Sequence, residues 1–427
     1  MKKRGWAAAA CALSLLLTCC AAPAPSGAVS APEAQATPEP QRQAFDLPFE
    51  MVSSPDLTSY GSGTAEGFYS VFSNEDGSRS LLYVDYASAS QVYLCAQPNC
   101  AHDSESCTSY QPGGSGVSLM MAGGQLVLVS PGTGPWGEQP SPPRVCVCGP
   151  DGSRRRQAAS FEANQQLDGP YLTDGKNLYA ALRTVQAQTA TEELACIDLG
   201  SGAVSTVLPL DTARSERVRS AAGEHVLLVS LDEYDQNSLE TGRSCAYERV
   251  NVNTLERETV LEYSTGEGRA VAFGDALVFY DAEQNSILCI DWRTGRRQLL
   301  AREVLPAGAD MLTLNLCFYD EGRVLYSFET PGSETDPGGR VFFAAGPEET
   351  RKTEFSLTYP DMERPLPVNP IAKTGGSYFV IAGETLQPRE DRREDGTLFT
   401  ANIPEPVYGR IRCEDFWAGS GPIETAR

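Results

Sequence analysis

The chain has only two histidines among its 427 residues. It contains no Gly-x-Ser-x-Gly, His-Glu-x-x-His, phosphate-loop or dinucleotide-binding glycine pattern. A Ser-His-Asp triad would need His102 or His225, and neither lies in a sequence context typical of a catalytic base. The chain therefore lacks the sequence signatures that are common in proteases, esterases, kinases and dehydrogenases. These absences leave open a reaction that needs only carboxylates, such as glycoside hydrolysis.

Positive charge and helical periodicity are also scarce. The formal net charge is −22, which argues against nucleic acid as a partner and against docking on anionic lipid headgroups. No segment after residue 45 keeps apolar residues at helical spacing for three turns, so the sequence does not predict a helical domain. The one long apolar run, residues 7–17, is too short to span a bilayer as a helix.

The N-terminus has the pattern of a bacterial lipoprotein signal. Basic residues occupy positions 2–4, the apolar run follows, and residues 17–21 read Leu-Thr-Cys-Cys-Ala. This lipobox predicts a signal peptide over residues 1–20 and lipid attachment, including palmitate, at Cys20. Cys19 is the alternative acceptor, and a plain signal peptide cut near residue 22 is the other interpretation.

Residues 21–45 are rich in proline, alanine, serine and threonine. This composition predicts a disordered tether between the lipid and a folded domain over residues 46–427. Two or three acyl chains on one residue anchor a protein stably without a transmembrane helix. We therefore expect the chain at the outer, extracellular face of a bacterial cell membrane.

A glycine recurs about every 50 residues before a short strand-like run, a period typical of repeat folds. The seven glycines are Gly77, Gly123, Gly175, Gly223, Gly274, Gly322 and Gly375. Each unit contains four short strand patterns separated by turn residues. Packed around a ring, such four-stranded antiparallel units bury both apolar faces. The pattern predicts an all-β, seven-bladed β-propeller; six or eight blades also agree with the irregular first and last units.

The turns of these units resemble those of known propellers. Residues 174–179 read Asp-Gly-Lys-Asn-Leu-Tyr, and residues 290–295 read Ile-Asp-Trp-Arg-Thr-Gly. Both are similar to turns of quinoprotein-like and Kelch-like propellers, although the tryptophan that recurs in every quinoprotein blade is absent here.

A second resemblance covers nearly the whole mature chain. It depends on residues 93–95 (Tyr-Leu-Cys), residues 98–103 (Pro-Asn-Cys-Ala-His-Asp), Cys107, Tyr408 and residues 414–417 (Glu-Asp-Phe-Trp). The chain resembles β-propeller surface lipoproteins of unknown function from clostridial gut bacteria. That resemblance implies the fold and a surface location, and it implies no catalytic residues.

Four candidate metal ligands fall within thirteen residues: Cys95, Cys100, His102 and Cys107. Three thiolates and one imidazole are a common tetrahedral set for structural zinc, so one zinc ion is the expected cofactor. The spacing matches no standard zinc-ribbon pattern, and a disulfide between Cys100 and Cys107 or free thiols are the alternatives. We expect the cluster where other units have their second glycine turn.

The connections between the second and third strands are long in five units: residues 130–143, 183–192, 232–242, 330–340 and 384–397. Insertions confined to one face of a repeat fold are typical of a binding surface. The candidate binding residues there are Trp136, Asp232, Asp235, Asp336 and Asp391. The sequence therefore predicts a non-catalytic binding or scaffold propeller for a wall component, a glycan or a protein. The alternative function is a glycan-active hydrolase that uses a pair of carboxylates.

Overall fold

The computed structural model describes residues 50–51, 61–74, 78–112, 116–133, 141–187, 189–232, 242–330, 338–346, 349–360, 365–392 and 397–426. The chain divides into two units, Met1–Gln43 and Ala44–Arg427, and every described residue belongs to the second. The predicted signal peptide, the tether, Cys19 and Cys20 lie outside the described residues. None of the described helices is long and apolar enough to cross a membrane.

Seven sheets of four antiparallel strands form the fold, and each sheet is one blade. Strand β1 (Glu50–Met51) precedes the blades and pairs with the first strand of blade 3. Blade 1 contains β2 (Ser62–Gly63), β3 (Gly67–Ser73), β4 (Arg79–Asp85) and β5 (Ser90–Tyr93), with β6 (Tyr110–Gln111) also beside β4. Blade 2 contains β7 (Ser118–Ala122), β8 (Gln125–Ser130), β9 (Arg144–Cys148) and β10 (Arg156–Ser160). Blade 3 contains β11 (Gln165–Thr173), β12 (Asn177–Gln186), β13 (Thr189–Asp198) and β14 (Val204–Leu210).

The next three blades repeat the same strand order. Blade 4 contains β15 (Arg217–Ala222), β16 (His225–Leu231), β17 (Ser244–Asn251) and β18 (Arg257–Ser264). Blade 5 contains β19 (Gly268–Phe273), β20 (Ala276–Asp281), β21 (Ser286–Asp291) and β22 (Arg297–Arg302), followed by the 3-10 turn Met311–Thr313. Blade 6 contains β23 (Asn315–Asp320), β24 (Arg323–Thr330), β25 (Gly339–Gly346) and β26 (Glu349–Glu354).

A small hairpin leads into the last blade. Its strands are β27 (Thr358–Pro360) and β28 (Pro365–Pro367). Blade 7 contains β29 (Asn369–Thr374), β30 (Ser377–Arg392), β31 (Leu398–Arg412) and β32 (Glu424–Thr425), with the helix α1 (Cys413–Trp417) between the last two strands. The seven-bladed propeller predicted from the sequence is confirmed.

The repeating glycines form the turn between the first and second strands of blades 2 to 7. Gly175 and Gly274, for example, have φ angles of 86° and 56°, which a side chain disfavours. In an antiparallel meander this turn and the turn between the third and fourth strands lie on one rim, here called the glycine-turn rim. The connections between the second and third strands lie on the opposite rim, here called the long-loop rim.

Successive blades bury a separate hydrophobic cluster between them. Between blades 3 and 4, for example, Leu194 of one blade packs with Val226 and Leu228 of the other. Similar clusters join blades 1 to 2, 2 to 3, 4 to 5 and 5 to 6. The first strands of neighbouring blades lie side by side and therefore line the axis. Each blade thus buries both of its faces, which no isolated four-stranded sheet could do.

The ring closes where blade 7 meets blade 1. The ring of Phe379 in blade 7 lies 5.4 Å from that of Phe68 and 5.0 Å from that of Tyr86, both in blade 1. Two hydrogen bonds flank these rings: the Ser73 amide donates to Glu405 Oε1 over 3.0 Å, and Arg410 donates to the Tyr86 carbonyl over 3.0 Å. Among the described residues, no strand from the N-terminal region completes blade 7, so side-chain packing closes the ring.

Two of the five connections predicted as long loops are extended hairpins instead. In blade 3 the paired strands reach Gln186 and resume at Thr189, and in blade 7 they reach Arg392 and resume at Leu398. Prolines do not break the second hairpin. Pro404 lies opposite Leu386, and Pro406 lies opposite Glu384. At alternate positions of an antiparallel pair the backbone N–H points away from the partner strand, so a proline there removes no hydrogen bond between the strands.

The closing contact should control the stability of the whole ring. Phe379→Ala removes a ring that is 3% exposed and touches two blades, so we expect a loss of about 3 to 5 kcal/mol in unfolding free energy. Denaturant unfolding of the full chain measures this loss. The control, Leu312→Ala, changes a side chain that is 68% exposed and should cost less than about 0.5 kcal/mol. Equal losses in the two variants would contradict the role given to this contact.

Candidate metal centre

The four predicted metal ligands lie in a loop, residues 94–109, that interrupts the outermost strand of blade 1. Strand β5 pairs with the half of β4 that ends at Asp85, and β6 resumes the edge opposite Ser80. The expected position at the second glycine turn was wrong, because residues 86–89 form that turn and β5 follows it. The loop therefore belongs to the outer edge of the ring rather than to either turn.

The fold brings all four side chains together. The ligand atoms of Cys95, Cys100, His102 and Cys107 lie within 4.8 Å of one another, and His102 Nδ1 is 3.2 Å from Cys107 Sγ. A tetrahedral site with Zn–S bonds of about 2.3 Å has ligand atoms about 3.8 Å apart, so shifts of about 1 Å would close the site. Cys100 and Cys107 are both free thiols. The cluster could therefore hold a metal ion.

Two residues of the loop have left-handed backbone conformations, which fold the chain back on itself. These are Asn99, with φ of 57°, and His102, with φ of 60°. Asparagine and histidine are both among the non-glycine residues that adopt this region most often. A further turn, in which the Cys107 amide donates to the Ser104 carbonyl over 2.9 Å, returns Cys107 to the cluster.

An aromatic ring covers the imidazole. The ring of Tyr93 stacks on that of His102, with centroids 4.1 Å apart and planes inclined by 12°. Tyr93 and its neighbour Val92 are exposed, at 40% and 52%, although both are large and apolar. The stacking restricts the orientation of the His102 ring.

The loop also contacts blade 2. Arg155 donates to the Tyr110 carbonyl over 3.1 Å and, through a second nitrogen, to the Thr108 carbonyl. Gly152, with φ of 79°, lies beneath the loop, and a Cβ atom there would be 2.9 Å from the Leu94 carbonyl oxygen. A glycine at this position therefore permits the close approach. Through these contacts the cluster joins the outer edges of blades 1 and 2.

The thiols differ in acidity. Burial raises the pKa of Cys107 to about 11. Burial also opposes ionisation of Cys95, but a hydrogen bond from the Gln97 amide and bonds with Cys107 and Cys100 together lower its pKa. A bound cation would favour the thiolate form of all three cysteines, because its charge replaces the proton.

The predicted rim residues are only partly within the described chain. Asp232 is exposed at the end of β16, where its carboxylate lies 3.5 Å from Arg214 Nε and its carbonyl accepts a bond from Arg243. Asp391 pairs through its backbone with Phe399 near the tip of the blade 7 hairpin. Trp136, Asp235 and Asp336 lie outside the described residues. A binding role for these five residues stays a prediction.

A group of charged side chains that the sequence did not single out lies at the long-loop end of the contact between blades 3 and 4. Arg183 on β12 lies directly opposite Glu192 on β13, and Asp168 lies on the same face of the sheet, on β11. Arg217 of blade 4 donates to Glu192 Oε2 over 3.0 Å. The sequence hides this group, because strand register and the docking of two blades assemble it.

Burial raises the pKa of both carboxyl groups in this set. For Asp168 the nearby Arg217 and Arg183 oppose the rise, and for Glu192 Arg217 opposes it while Asp168 adds to it. A carboxyl group with a raised pKa keeps its proton to a higher pH than an ordinary carboxyl group does, which is the direction of shift that a general acid requires. The side chain of Glu192 is only 2% exposed, so a carboxylate there needs Arg217 as a partner that compensates its buried charge.

Comparisons with known proteins give structural similarity alone. No protein-family model and no curated protein matches the chain. TolB from Acinetobacter baumannii is 11% identical over 84% of this chain and 79% of that one, with a TM-score of 0.35. The β-propeller domain of the Trilobed protease from Pyrococcus furiosus is 7% identical over 84% and 93%, with a TM-score of 0.41. An acylaminoacyl peptidase is 9% identical over 83% and 58%, with a TM-score of 0.44.

Metal analysis of the protein purified without oxygen or chelator should find about one zinc ion per chain. Cys100→Ser removes one of four ligands and should reduce the zinc content to a trace. The control, Cys146→Ser, changes a cysteine outside the cluster and should leave it unchanged. Zinc should also dissociate as the pH falls, because protons compete for the thiolates and the imidazole. A metal-free protein with two free thiols fewer than its sequence contains would instead indicate the disulfide.

The charged group between blades 3 and 4 should contribute to the pH dependence of stability. Because its pKa is raised above the ordinary value of 4.5, Glu192 binds a proton more tightly in the folded chain than in the unfolded chain. Its contribution to the unfolding free energy therefore rises as the pH falls toward 4.5 and is lost as the pH rises through the folded-state pKa. Glu192→Gln should reduce the slope of stability against pH in denaturant titrations between neutral pH and 4.5, and Asp168, whose pKa is also raised, should keep part of it. The exposed-site control, Glu262→Gln, should keep the wild-type slope, and an unchanged slope in Glu192→Gln would contradict the assignment.

Proposed function

We propose that this chain is a lipid-anchored propeller at the outer face of a bacterial membrane and binds a partner through its long-loop rim. The observation that supports the proposal is that the strand ends joined by the connections of blades 2, 4 and 6 lie on the same rim as the hairpin of blade 7. One-sided insertions are typical of a binding surface in repeat folds. The partner is a wall component, a glycan or a protein, and binding involves no reaction.

The lipobox supports the anchor. Acylation of Cys20, or of Cys19 in the alternative, would attach the chain through residues 21–45 to the membrane. The resemblance of residues 93–103 to clostridial propeller lipoproteins agrees with this location. In this proposal the acidic propeller itself makes no contact with nucleic acid, because its charge repels phosphate.

We infer that the metal of the Cys95, Cys100, His102 and Cys107 cluster is zinc with a structural role. Thiolate and imidazole are ligands that zinc prefers, and four protein ligands leave no open position for a reacting water. The ion would hold the interrupted outer strand of blade 1 together. Through Arg155 and Gly152 it would also fix the contact of that strand with blade 2.

A glycan-active hydrolase is the second candidate, and Asp168 and Glu192 are the observation in its favour. Two carboxyl groups about 5 to 10 Å apart are sufficient for glycoside hydrolysis, and one of them must hold a proton. Burial raises the pKa of both groups in this chain. The ion pair between Glu192 and Arg217 favours the structural interpretation, so binding without a reaction remains our proposal.

Sedimentation of the full chain with isolated bacterial cell-wall sacculi, which retain wall glycans and attached proteins, tests both candidates. A rim variant replaces residues 233–241 and 331–337 by short Gly-Ser links and should bind at least about 10-fold more weakly, a loss of about 1.4 kcal/mol. A matched control with Ser201→Ala, Thr254→Ala and Thr294→Ala changes the glycine-turn rim and should bind like the wild type. Full binding by the rim variant, or no binding by the wild type, would contradict the proposal. Release of soluble sugar by the wild type but not by Glu192→Gln would favour the hydrolase.

A further inference from the structure

Strand β1 shows where the N-terminal part of the chain enters the ring. Glu50 lies opposite Thr173 and Met51 opposite Leu172, both in the first strand of blade 3. The same two residues lie near the first strand of blade 4. Because first strands line the axis, β1 lies on the axial side of blade 3.

The register fixes the direction of entry. Strand β11 starts at the long-loop rim and ends at Thr173, beside the Gly175 turn of the glycine-turn rim. Strand β1 is antiparallel to it, so the chain runs from the glycine-turn rim toward the long-loop rim. The Glu50 end of β1 is therefore the end nearer the glycine-turn rim.

The two rims differ in charge. The described connections of the long-loop rim expose many carboxylates, at Glu162, Asp211, Asp232, Glu267, Glu283, Glu303 and Asp310, and their two arginines are Arg214 and Arg243. The glycine-turn rim also exposes acidic groups, but several exposed cations accompany them, at Arg154, Arg155, Lys176, Arg293 and Arg296. An anionic bilayer surface repels the first rim more strongly than the second.

We propose that the glycine-turn rim faces the lipid bilayer and that the long-loop rim points away from the membrane. The proposal rests on the proposed lipid anchor at Cys20. A tether of about 25 residues has a relaxed length on the order of 30 Å. Because the Glu50 end of β1 is nearer the glycine-turn rim, this orientation places that end closer to the membrane than the reverse orientation does, by up to the blade height of about 20 Å.

This orientation gives the two rims different uses. The long-loop rim, with its connections and the blade 7 hairpin, is presented to the surroundings of the cell. The glycine-turn rim, with its short turns and mixed charges, faces the lipid bilayer. The metal cluster lies at the outer edge of blade 1, at the side of the ring.

Energy transfer to labelled lipid tests the orientation in the full, lipidated chain. A coumarin amino acid replaces either Thr294 on the glycine-turn rim or Glu283 on the long-loop rim; both sites are exposed and belong to blade 5. The vesicles contain phosphatidylcholine, phosphatidylglycerol and a headgroup-labelled acceptor lipid. The rims are about 20 Å apart, so transfer from position 294 should be about two-fold higher than from position 283. Hydrogen exchange of the unlabelled chain should also be roughly 100-fold slower at Glu50 and Met51 than in the tether.

The outcomes separate the orientation from the anchor. Cys20→Ala, together with Cys19→Ala, should abolish flotation with vesicles and transfer from both positions. A wild-type chain that fails to float would overturn the anchor and the orientation with it. A chain that floats but transfers equally from the two positions, or more from position 283, would overturn the orientation and leave the anchor in place. Exchange at Glu50 and Met51 as fast as in the tether would remove the strand pairing on which the direction of entry depends.

Discussion

The packing of blade 7 against blade 1 is the contact on which the rest of the ring depends. Six of the seven blade interfaces join segments that are close in sequence, whereas this one joins Phe379 to Phe68 and Glu405 to Ser73. No backbone ladder of the described residues spans the junction. Aromatic rings, one buried carboxylate and Arg410 must hold it, and both rims keep their arrangement only while it stays closed.

The sequence predicted the ring well because the physical requirement repeats. A residue with positive φ is needed at each first turn of blades 2 to 7, and glycine meets that requirement at the lowest cost. Blade 1 does not follow this pattern. Its first strand is only two residues long, and its first turn, at residues 64–66, contains no glycine. The sequence does not predict the hairpins of blades 3 and 7, because their polar strands extend beyond the core, where burial no longer imposes an apolar alternation.

The metal cluster was predictable for a different reason. Its four ligands are close in sequence, so a short loop can bring them together. The ligand atoms of Cys95 and Cys107, near the two ends of the loop, lie within 4.8 Å of each other. Its place in the blade was not predictable, since an interrupted outer strand leaves no mark in the spacing. The Asp168 and Glu192 pair was beyond sequence reasoning altogether, because the register of three strands and the neighbouring blade's Arg217 create it.

Each blade is made from one uninterrupted stretch of chain, and this has a consequence for how the molecule is made. As the polypeptide emerges N-terminus first, every four-stranded sheet can form as soon as its own residues are available, without waiting for a distant strand. Each new sheet can then pack on the exposed apolar face of the preceding sheet. Only when the last sheet and the helix that carries Phe416 are released can the two open sides of the stack meet. Until that moment both ends of the stack expose hydrophobic surface, so the docking of the last blade on the first is the step that ends the exposure to aggregation.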